Sequence, residues 1–173
     1  MELEKLRSED AKTLIKRLKI PLYKIPLLAR DMKIMQQQQI TQIKSFNGLP
    51  EVLHKLKSKG YLLGILTSNG KENVKLFIKN NNIDIFTFIY SDTSIFGKDK
   101  VIRNFLKQNA ITKEQVYYIG DEIRDIQACQ KVGIKIIAVS WGLNSKEGLA
   151  KYHPDFLIDK PVELLKLLEG KTK

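Results

Sequence analysis

The sequence has a single cysteine, Cys129, and a single tryptophan among its 173 residues. One cysteine excludes a disulfide or a zinc cluster formed within the chain, and its place on the apolar face of a predicted helix indicates a buried structural thiol. No apolar run approaches the roughly 20 residues that a membrane-spanning helix needs. The charged N-terminus, MELEKLRSED, has no apolar signal core. We therefore expect a soluble, cytoplasmic protein without a membrane partner.

Arginine is also scarce, with 5 Arg beside 25 Lys, although the formal net charge is +11. The excess is uneven, because residues 1–60 carry 13 basic and 6 acidic side chains. Nucleic-acid contacts favour Arg and aromatic side chains, which form bidentate and stacking contacts. We therefore prefer a Lys-rich solvated surface. A nucleic-acid-binding protein that uses its basic segment 1–60 stays as the weakest alternative.

The sequence changes character near residue 45. Before it, helical spacing predicts one helix capped by Ser8 and a second helix over residues 27–43. After it, helices and apolar strands alternate, which is typical of a parallel, doubly wound α/β sheet with right-handed crossovers. We expect a helical segment at 1–45 followed by an α/β core at 46–173.

The strands of this core are expected at residues 61–67, 85–90, 116–119, 134–140 and 156–158, and its helices at 51–58, 70–80, 98–108, 122–131 and 161–168. Several of the strands are continuous apolar runs, as in parallel sheets that are buried on both faces. The carboxyl ends of such strands meet at one edge of the sheet, where ligands bind in open α/β folds.

Two polar loops follow predicted strands at that edge. Thr67, Ser68 and Asn69 offer two hydroxyls and an amide before a helix start, where they could cradle a phosphate, and Gly70 permits close approach. The ordinary alternative is a serine/threonine turn followed by a helix cap. Lys98 opens a later helix and could reach a phosphate as a point charge, although most single lysines are only solvated.

The third loop is GDEIRD, at residues 120–125. Asp121 follows a strand directly, and Asp125 lies one helical turn further on, on the same side. Two carboxylates so placed repel each other unless a cation lies between them, and Mg²⁺ takes such oxygen ligands. The alternative is an N-capping Asp followed by an ordinary surface Asp.

These motifs occur in the order found in the haloacid dehalogenase superfamily of phosphohydrolases. Thr67 resembles the second motif of that family, Lys98 the third, and GDEIRD the fourth in its GDxxxD form. The tail, VSWGLNSKEGL followed by HPDFLIDKPVELLKLL, is similar to the end of a phosphoglycolate-phosphatase-type member. The resemblance covers about residues 46–170 and implies a Rossmann-like core, with part of a helical cap at 1–45.

The resemblance also implies Mg²⁺-dependent hydrolysis of a small phosphorylated metabolite through an aspartyl-phosphate. It gives Thr67 and Lys98 catalytic roles on the phosphoryl oxygens, with Ser68 and Asn69 lining the same phosphate-binding pocket. Asp121 would bind Mg²⁺ directly, and Asp125 would support the ion through water or an outer contact.

The sequence departs from the family in its first motif, an apolar strand ending in DxDGT that supplies the nucleophilic Asp. Asp10 and Asp31 precede Thr67, but neither ends an apolar strand and neither has a second Asp two residues on. We expect the chain to begin inside the cap and to lack the first, central strand of the core. The neighbouring strand edges would then favour an oligomer or a complementing chain that supplies the strand.

Little or no phosphatase turnover is therefore expected from this chain alone. The favoured function is a phosphoglycolate-phosphatase-like hydrolase in a truncated or inactive form. The second is a non-catalytic module that binds phosphate or Mg²⁺, which tight phosphate binding without hydrolysis would support. A steep salt dependence of binding to DNA or RNA would support the nucleic-acid alternative instead.

Overall fold

The computed structural model describes residues 2–91 and 97–169. They form an α/β fold whose strands pair in parallel, which confirms the predicted fold class. By the contacts between its residues the chain divides into two units, the first made of Met1–Ile20 and Ser94–Lys160 and the second of Pro21–Thr93 and Pro161–Lys173. The division predicted at residue 45, between a cap segment and the core, stays a prediction.

The described helices are α1 (Glu2–Arg7), α2 (Ala11–Arg17), α3 (Ile25–Gln39), α4 (Leu49–Ser58), α5 (Lys71–Asn80), α6 (Lys98–Gln108), α7 (Ile123–Val132), α8 (Lys146–Ala150) and α9 (Glu163–Leu168). The described strands are β1 (Gly64–Thr67), β2 (Phe88–Ser91), β3 (Tyr117–Gly120), β4 (Lys135–Val139) and β5 (Phe156–Ile158). None of these helices is both long and apolar enough to cross a membrane.

The first unit is built on a parallel sheet in the order β3-β4-β5. α7 packs against β4 and against α6. Ile136 and Ile137 of β4, together with Ile126 and Cys129 of α7, have no exposed surface. Each fully buried aliphatic side chain of this kind contributes about 1.5–3 kcal/mol to folding. The helix that begins with the acidic loop is therefore fixed to the sheet by its apolar stripe.

The second unit contains the parallel pair β1-β2, in which Thr67 lies opposite Ser91. Val74 and Ile78 of α5 form a buried cluster with Ile83, and side chains of both strands pack against it. The apolar spacing of α5 thus holds this helix on the strand pair. The loop after β1 is placed between the end of a strand and the start of a well-packed helix.

The predicted elements are present, with shifted ends. α6 and β5 have the predicted bounds, whereas the strand predicted from residue 61 begins only at Gly64. The second predicted helix runs from Ile25 to Gln39 instead of over residues 27–43. It begins earlier because Pro26 lies in its first turn, where a missing backbone N–H costs nothing.

The N-cap predicted at Ser8 is wrong. Asp10 takes that position, and its Oδ1 accepts a hydrogen bond from the backbone N–H of Thr13 at 2.9 Å. The Ser8 hydroxyl instead donates to the carbonyl oxygen of Lys5 at 2.8 Å. A separate short helix, α1, ends just before Ser8, whose hydroxyl satisfies a carbonyl oxygen of the last turn of α1. α2 therefore begins after Asp10.

Candidate functional site

An acidic loop joins β3 to α7 in the first unit. The backbone leaves β3 at Gly120, Asp121 and Glu122 follow, and Asp125 lies in the first turn of α7. One carboxylate oxygen from each of these three acidic residues lies within 4.8 Å of the others. We call Asp121, Glu122 and Asp125 the carboxylate cluster. The structure thus brings together the two acidic residues that the sequence singled out and adds a third.

Lys98 contacts the same cluster. It is the first residue of α6, and its ammonium group donates a hydrogen bond to Oδ1 of Asp125. Its Nζ also lies 5.6 Å from the ring centroid of Tyr118, within the range of a cation–π contact. The side chain of Asp125 is only 4% exposed, and that of Lys98 is 22% exposed. The lysine predicted to neutralise a phosphoryl group here neutralises a buried carboxylate.

The electrostatics of Asp125 favour a cation at this place. Burial raises the pKa of Asp125, the ammonium of Lys98 opposes that shift, and the charges of Glu122 and Asp121 add to it. Three carboxylates so close together are stable as anions only if positive charge balances them. A hard divalent cation such as Mg²⁺ prefers carboxylate oxygens, so the donor set fits this ion.

Two glycines leave room for the carboxylates. A Cβ at Gly120 would lie 2.5 Å from Oδ2 of Asp125, and a Cβ at Gly142 would overlap the side chain of Asp121. Neither position tolerates a larger residue unless a carboxylate moves. The glycine of the GDxxxD motif is therefore required by close approach of the buried carboxylate in the next helix.

Glu122 is the member of the cluster that the sequence analysis missed. The helical pattern pairs Asp121 with Asp125 and leaves Glu122 to another side of the helix. In the structure Glu122 has extended backbone angles, φ −118° and ψ 144°, so it lies outside the helix and helical spacing does not apply to it. Arg124 holds its carboxylate by contacts of 2.7 Å at both oxygens. Three acidic residues within five positions were the available signal.

The loop after β4 also contacts the cluster. The backbone N–H of Leu143 donates to Oδ2 of Asp121 at 2.7 Å, and that of Asn144 donates to the carbonyl oxygen of Asp121 at 3.1 Å. The Oδ1 of Asn144 accepts from the backbone N–H of Ile123 at 2.9 Å. Periodicity gives no signal for such contacts, since the two loops are about 20 residues apart along the chain.

The remaining predicted residues lie in the second unit. Thr67 ends β1, and its Oγ1 accepts a hydrogen bond from the backbone N–H of Asn69 at 3.0 Å. The carbonyl oxygen of Asn69 accepts from the Ser91 hydroxyl at 2.5 Å. This is the serine/threonine turn given above as the ordinary alternative, and Ser68 lies half-buried at its centre. A phosphate-binding role for Thr67, Ser68 and Asn69 stays a prediction.

The strands pair in parallel, and a carboxylate cluster paired with a lysine lies at the carboxyl end of one of them. These features define an α/β protein with a concentrated set of carboxylate donors at one strand end. The chain belongs to the family of haloacid dehalogenase-like hydrolases, whose model matches residues 1–139. That match extends over the helical residues 1–45 as well as over most of the predicted core.

Curated relatives agree with this family. A phosphoglycolate phosphatase from Synechococcus elongatus is 27% identical over 161 residues, which cover 92% of this chain and 76% of the relative. The pyrophosphatase PpaX of Bacillus cereus is 28% identical over 135 residues, which cover 76% of this chain and 62% of the relative. The chain therefore spans less than two thirds of the length of that PpaX relative.

Solved structures share the fold. A haloacid dehalogenase-like hydrolase from Streptococcus pneumoniae superposes with a TM-score of 0.73 and 26% identity, covering 93% of this chain and 82% of the other. A predicted phosphoglycolate phosphatase from Haemophilus somnus also gives a TM-score of 0.73, at 20% identity, covering 90% of this chain and 72% of the other. The likeness to the second protein establishes the fold alone.

Proposed function

We propose that this chain carries the cation-binding and phosphate-binding parts of a Mg²⁺-dependent phosphomonoester hydrolase of the phosphoglycolate-phosphatase type. The observation that carries the proposal is the buried pair of Lys98 and Asp125 beside Asp121 and Glu122. A small phosphorylated metabolite is the proposed substrate, and the cytoplasm is the proposed compartment. The family membership and the names of the relatives support this assignment.

Each residue has a distinct part in the proposal. Asp121 would hold the cation directly, and Asp125, in the first turn of α7, would support it through water or an outer contact. Bound Mg²⁺ supplies positive charge for a phosphoryl oxygen. Lys98 would neutralise a second phosphoryl oxygen. It would be free to do so because a bound cation would balance the negative charge of Asp125 in its place.

Thr67, Ser68 and Asn69 are the phosphate-binding residues of the proposal. The Thr67 hydroxyl already accepts from the Asn69 amide, so its own proton is available to donate to a phosphoryl oxygen. Positioning and charge stabilisation of this kind make up most of the catalysis of phosphoryl transfer.

The nucleophile is proposed to be an aspartate from an apolar strand ending in DxDGT, a motif that the given sequence does not contain. That strand would be encoded upstream or come from a second polypeptide. In-frame translation of the DNA upstream of the Met1 codon tests the first possibility directly. With the nucleophile elsewhere, the chain itself binds Mg²⁺ and phosphate without turning over substrate.

Calorimetric titration with Mg²⁺, then with inorganic phosphate, tests this function. We expect Mg²⁺ to bind the wild-type chain, to bind Asp121→Asn at least about tenfold more weakly, and to be needed for phosphate binding. Absence of Mg²⁺ binding by the wild-type chain would contradict the proposal. Hydrolysis of p-nitrophenyl phosphate that Asp121→Asn abolishes would show that the chain supplies its own nucleophile.

A further inference from the structure

Asn144 is a buried polar residue, 6% exposed, at the centre of a hydrogen-bond network. Its Oδ1 accepts from the backbone N–H of Ile123 at the start of α7. Its Nδ2 donates to the carbonyl oxygens of Arg7 at 2.7 Å and Glu9 at 3.1 Å. One side chain therefore ties the acidic loop to the segment that runs from the last residue of α1 to the N-cap of α2. Residues of this segment, Arg7–Asp10, are called the N-terminal strap below.

Arg7 strengthens the same link from the other direction. Its Nε donates to the carbonyl oxygen of Leu143 at 2.9 Å, and its Nη2 donates to that of Gly142 at 2.7 Å. The backbone N–H of Ser145 donates back to the carbonyl oxygen of Arg7 at 2.9 Å. The guanidinium thus fixes two successive peptide groups of the loop after β4, and its fork geometry suits a pair of carbonyl acceptors.

The two sets of contacts meet at Asp121. The peptide group that Arg7 holds at the Gly142 carbonyl oxygen carries the N–H of Leu143, which donates to Oδ2 of Asp121. The backbone of Asn144 holds the carbonyl oxygen of Asp121. At Gly142 the backbone passes so close to Asp121 that no Cβ would fit. A shift of this loop must therefore move the Asp121 carboxylate.

We propose that Asn144 is a positioning residue for the carboxylate cluster, and that through Asn144 and Arg7 the N-terminal strap sets the affinity of the cluster for a divalent cation. This rests on the proposed function, because it takes the cluster to be the cation site. Groups that orient the ligands of a metal typically change its affinity by about 10–100-fold when they are removed.

The coupling is reciprocal. If the strap raises the affinity for the cation, cation binding must stabilise the strap by the same free energy. The amides of Leu143, Asn144 and Ser145 report on the link, since each donates a hydrogen bond within it. Mg²⁺ therefore slows the exchange of these amides with solvent.

Substitution of Arg7 distinguishes a positioning role from a purely electrostatic effect on cation affinity. Removing a positive charge near a cation site favours cation binding if long-range charge alone matters. The proposal predicts weaker cation binding instead. Without Arg7 the carbonyl groups of Gly142 and Leu143 lose their partner, and the Asp121 carboxylate loses its fixed orientation. Arg7→Met keeps the apolar part of the side chain and removes both donors.

The experiment measures Mg²⁺ affinity by competition with terbium, whose luminescence is excited through Trp141, the single tryptophan. We expect Asn144→Ala to weaken Mg²⁺ binding by about tenfold or more, and Arg7→Met to weaken it by a smaller factor. Arg7→Lys, which can restore one donor, is expected to lie between Arg7→Met and wild type. Asn109→Ala is the matched control, since the side chain of Asn109 makes an exposed hydrogen bond to the carbonyl oxygen of Phe105 at the far end of α6.

Hydrogen exchange gives the second readout. In the wild type, Mg²⁺ is expected to protect residues 142–145 and the start of α2, and in Arg7→Met that protection is expected to be lost. If Asn144→Ala does not fold, Arg7→Met and Arg7→Lys still decide the question. Wild-type affinity in Arg7→Met and Asn144→Ala would overturn the inference and leave the proposed function standing, whereas a wild-type chain that binds no Mg²⁺ would remove both.

Discussion

The ammonium group of Lys98 pairs with the buried carboxylate of Asp125, which lies 27 positions later in the chain. The contact joins the first residue of α6 to the first turn of α7. Burial opposes the charge of Asp125, and Lys98 is the positive group that compensates for it. The ammonium of Lys98 thus opposes the rise in the pKa of Asp125 that burial causes.

Removing Lys98 is expected to destabilise the protein strongly in the absence of Mg²⁺. Lys98→Met leaves Asp125 buried without its ionic partner, and breaking a buried pair in this way costs about 3 kcal/mol or more. Urea unfolding at neutral pH gives the free energy of unfolding. Saturating Mg²⁺ is expected to restore part of the loss, because the cation takes over the balance of charge.

Lys146→Met is the matched control for that substitution. Lys146 pairs with Asp159 at 2.5 Å, but both side chains are about half exposed. An exposed pair is worth about 0.2–1 kcal/mol. Equal losses of unfolding free energy in Lys98→Met and Lys146→Met would contradict the role given to the buried pair.

Gly142→Ala is expected to weaken Mg²⁺ binding. A Cβ at this position overlaps the Asp121 side chain, so the carboxylate must turn away from the cluster. We expect a loss of Mg²⁺ affinity of about tenfold, measured by calorimetry. Gly64→Ala is the control, since a Cβ there lies 3.5 Å from Phe88 in ordinary contact. The same affinity in both variants would show that Asp121 is not a ligand.

Cys129 is expected to be unreactive in the folded protein. The side chain has no exposed surface, and burial, followed by the charge of Asp125, raises the pKa of its thiol to about 12. Because the thiolate is the reactive form, a thiol reagent such as Ellman's reagent should react only after unfolding. The reaction can be followed in increasing urea, where its midpoint should match that of unfolding. Rapid reaction without urea would show that α7 opens locally.

Asp10 is expected to make the stability of the first unit depend on pH below the neutral range. Burial opposes ionisation of Asp10, but hydrogen bonds from the Thr13 amide and the Tyr152 hydroxyl outweigh it and hold its pKa below the ordinary value of 3.8. A carboxylate with a lowered pKa in the folded state stabilises the fold above the unfolded pKa. That contribution disappears as the pH falls through the folded pKa.

The variants Asp10→Asn and Asp10→Ala separate the contribution of the charge to stability from that of the helix cap. Asparagine keeps an acceptor for the Thr13 amide, whereas alanine removes it at a cost of about 1 kcal/mol. The difference in unfolding free energy between wild type and Asp10→Asn should be largest near neutral pH and should shrink in acid. A difference that grows on acidification would contradict the lowered pKa.

Much of the first unit could be predicted because its signals are local. The bounds of α6 follow from the apolar spacing after Gly97, and the place of Asp121 follows from the apolar run that precedes it. Glu122 could not be assigned in this way, because its side chain direction depends on extended backbone angles at the start of α7. The error at Ser8 has the same origin, since a separate helix ending at Arg7 decides which residue caps α2.

The amino-acid sequence by itself determined the α/β class, the parallel strands, the order of the motifs and the pairing of Asp121 with Asp125. Those features follow from periodicity, turn residues and spacing within a few positions. Only the tertiary structure decided that Lys98 neutralises Asp125, that Glu122 joins the cluster, and that Arg7 and Asn144 hold the loop behind Asp121. These contacts join residues 21 to 137 positions apart or depend on local backbone angles, and folding around the buried stripe of α7 brings them together.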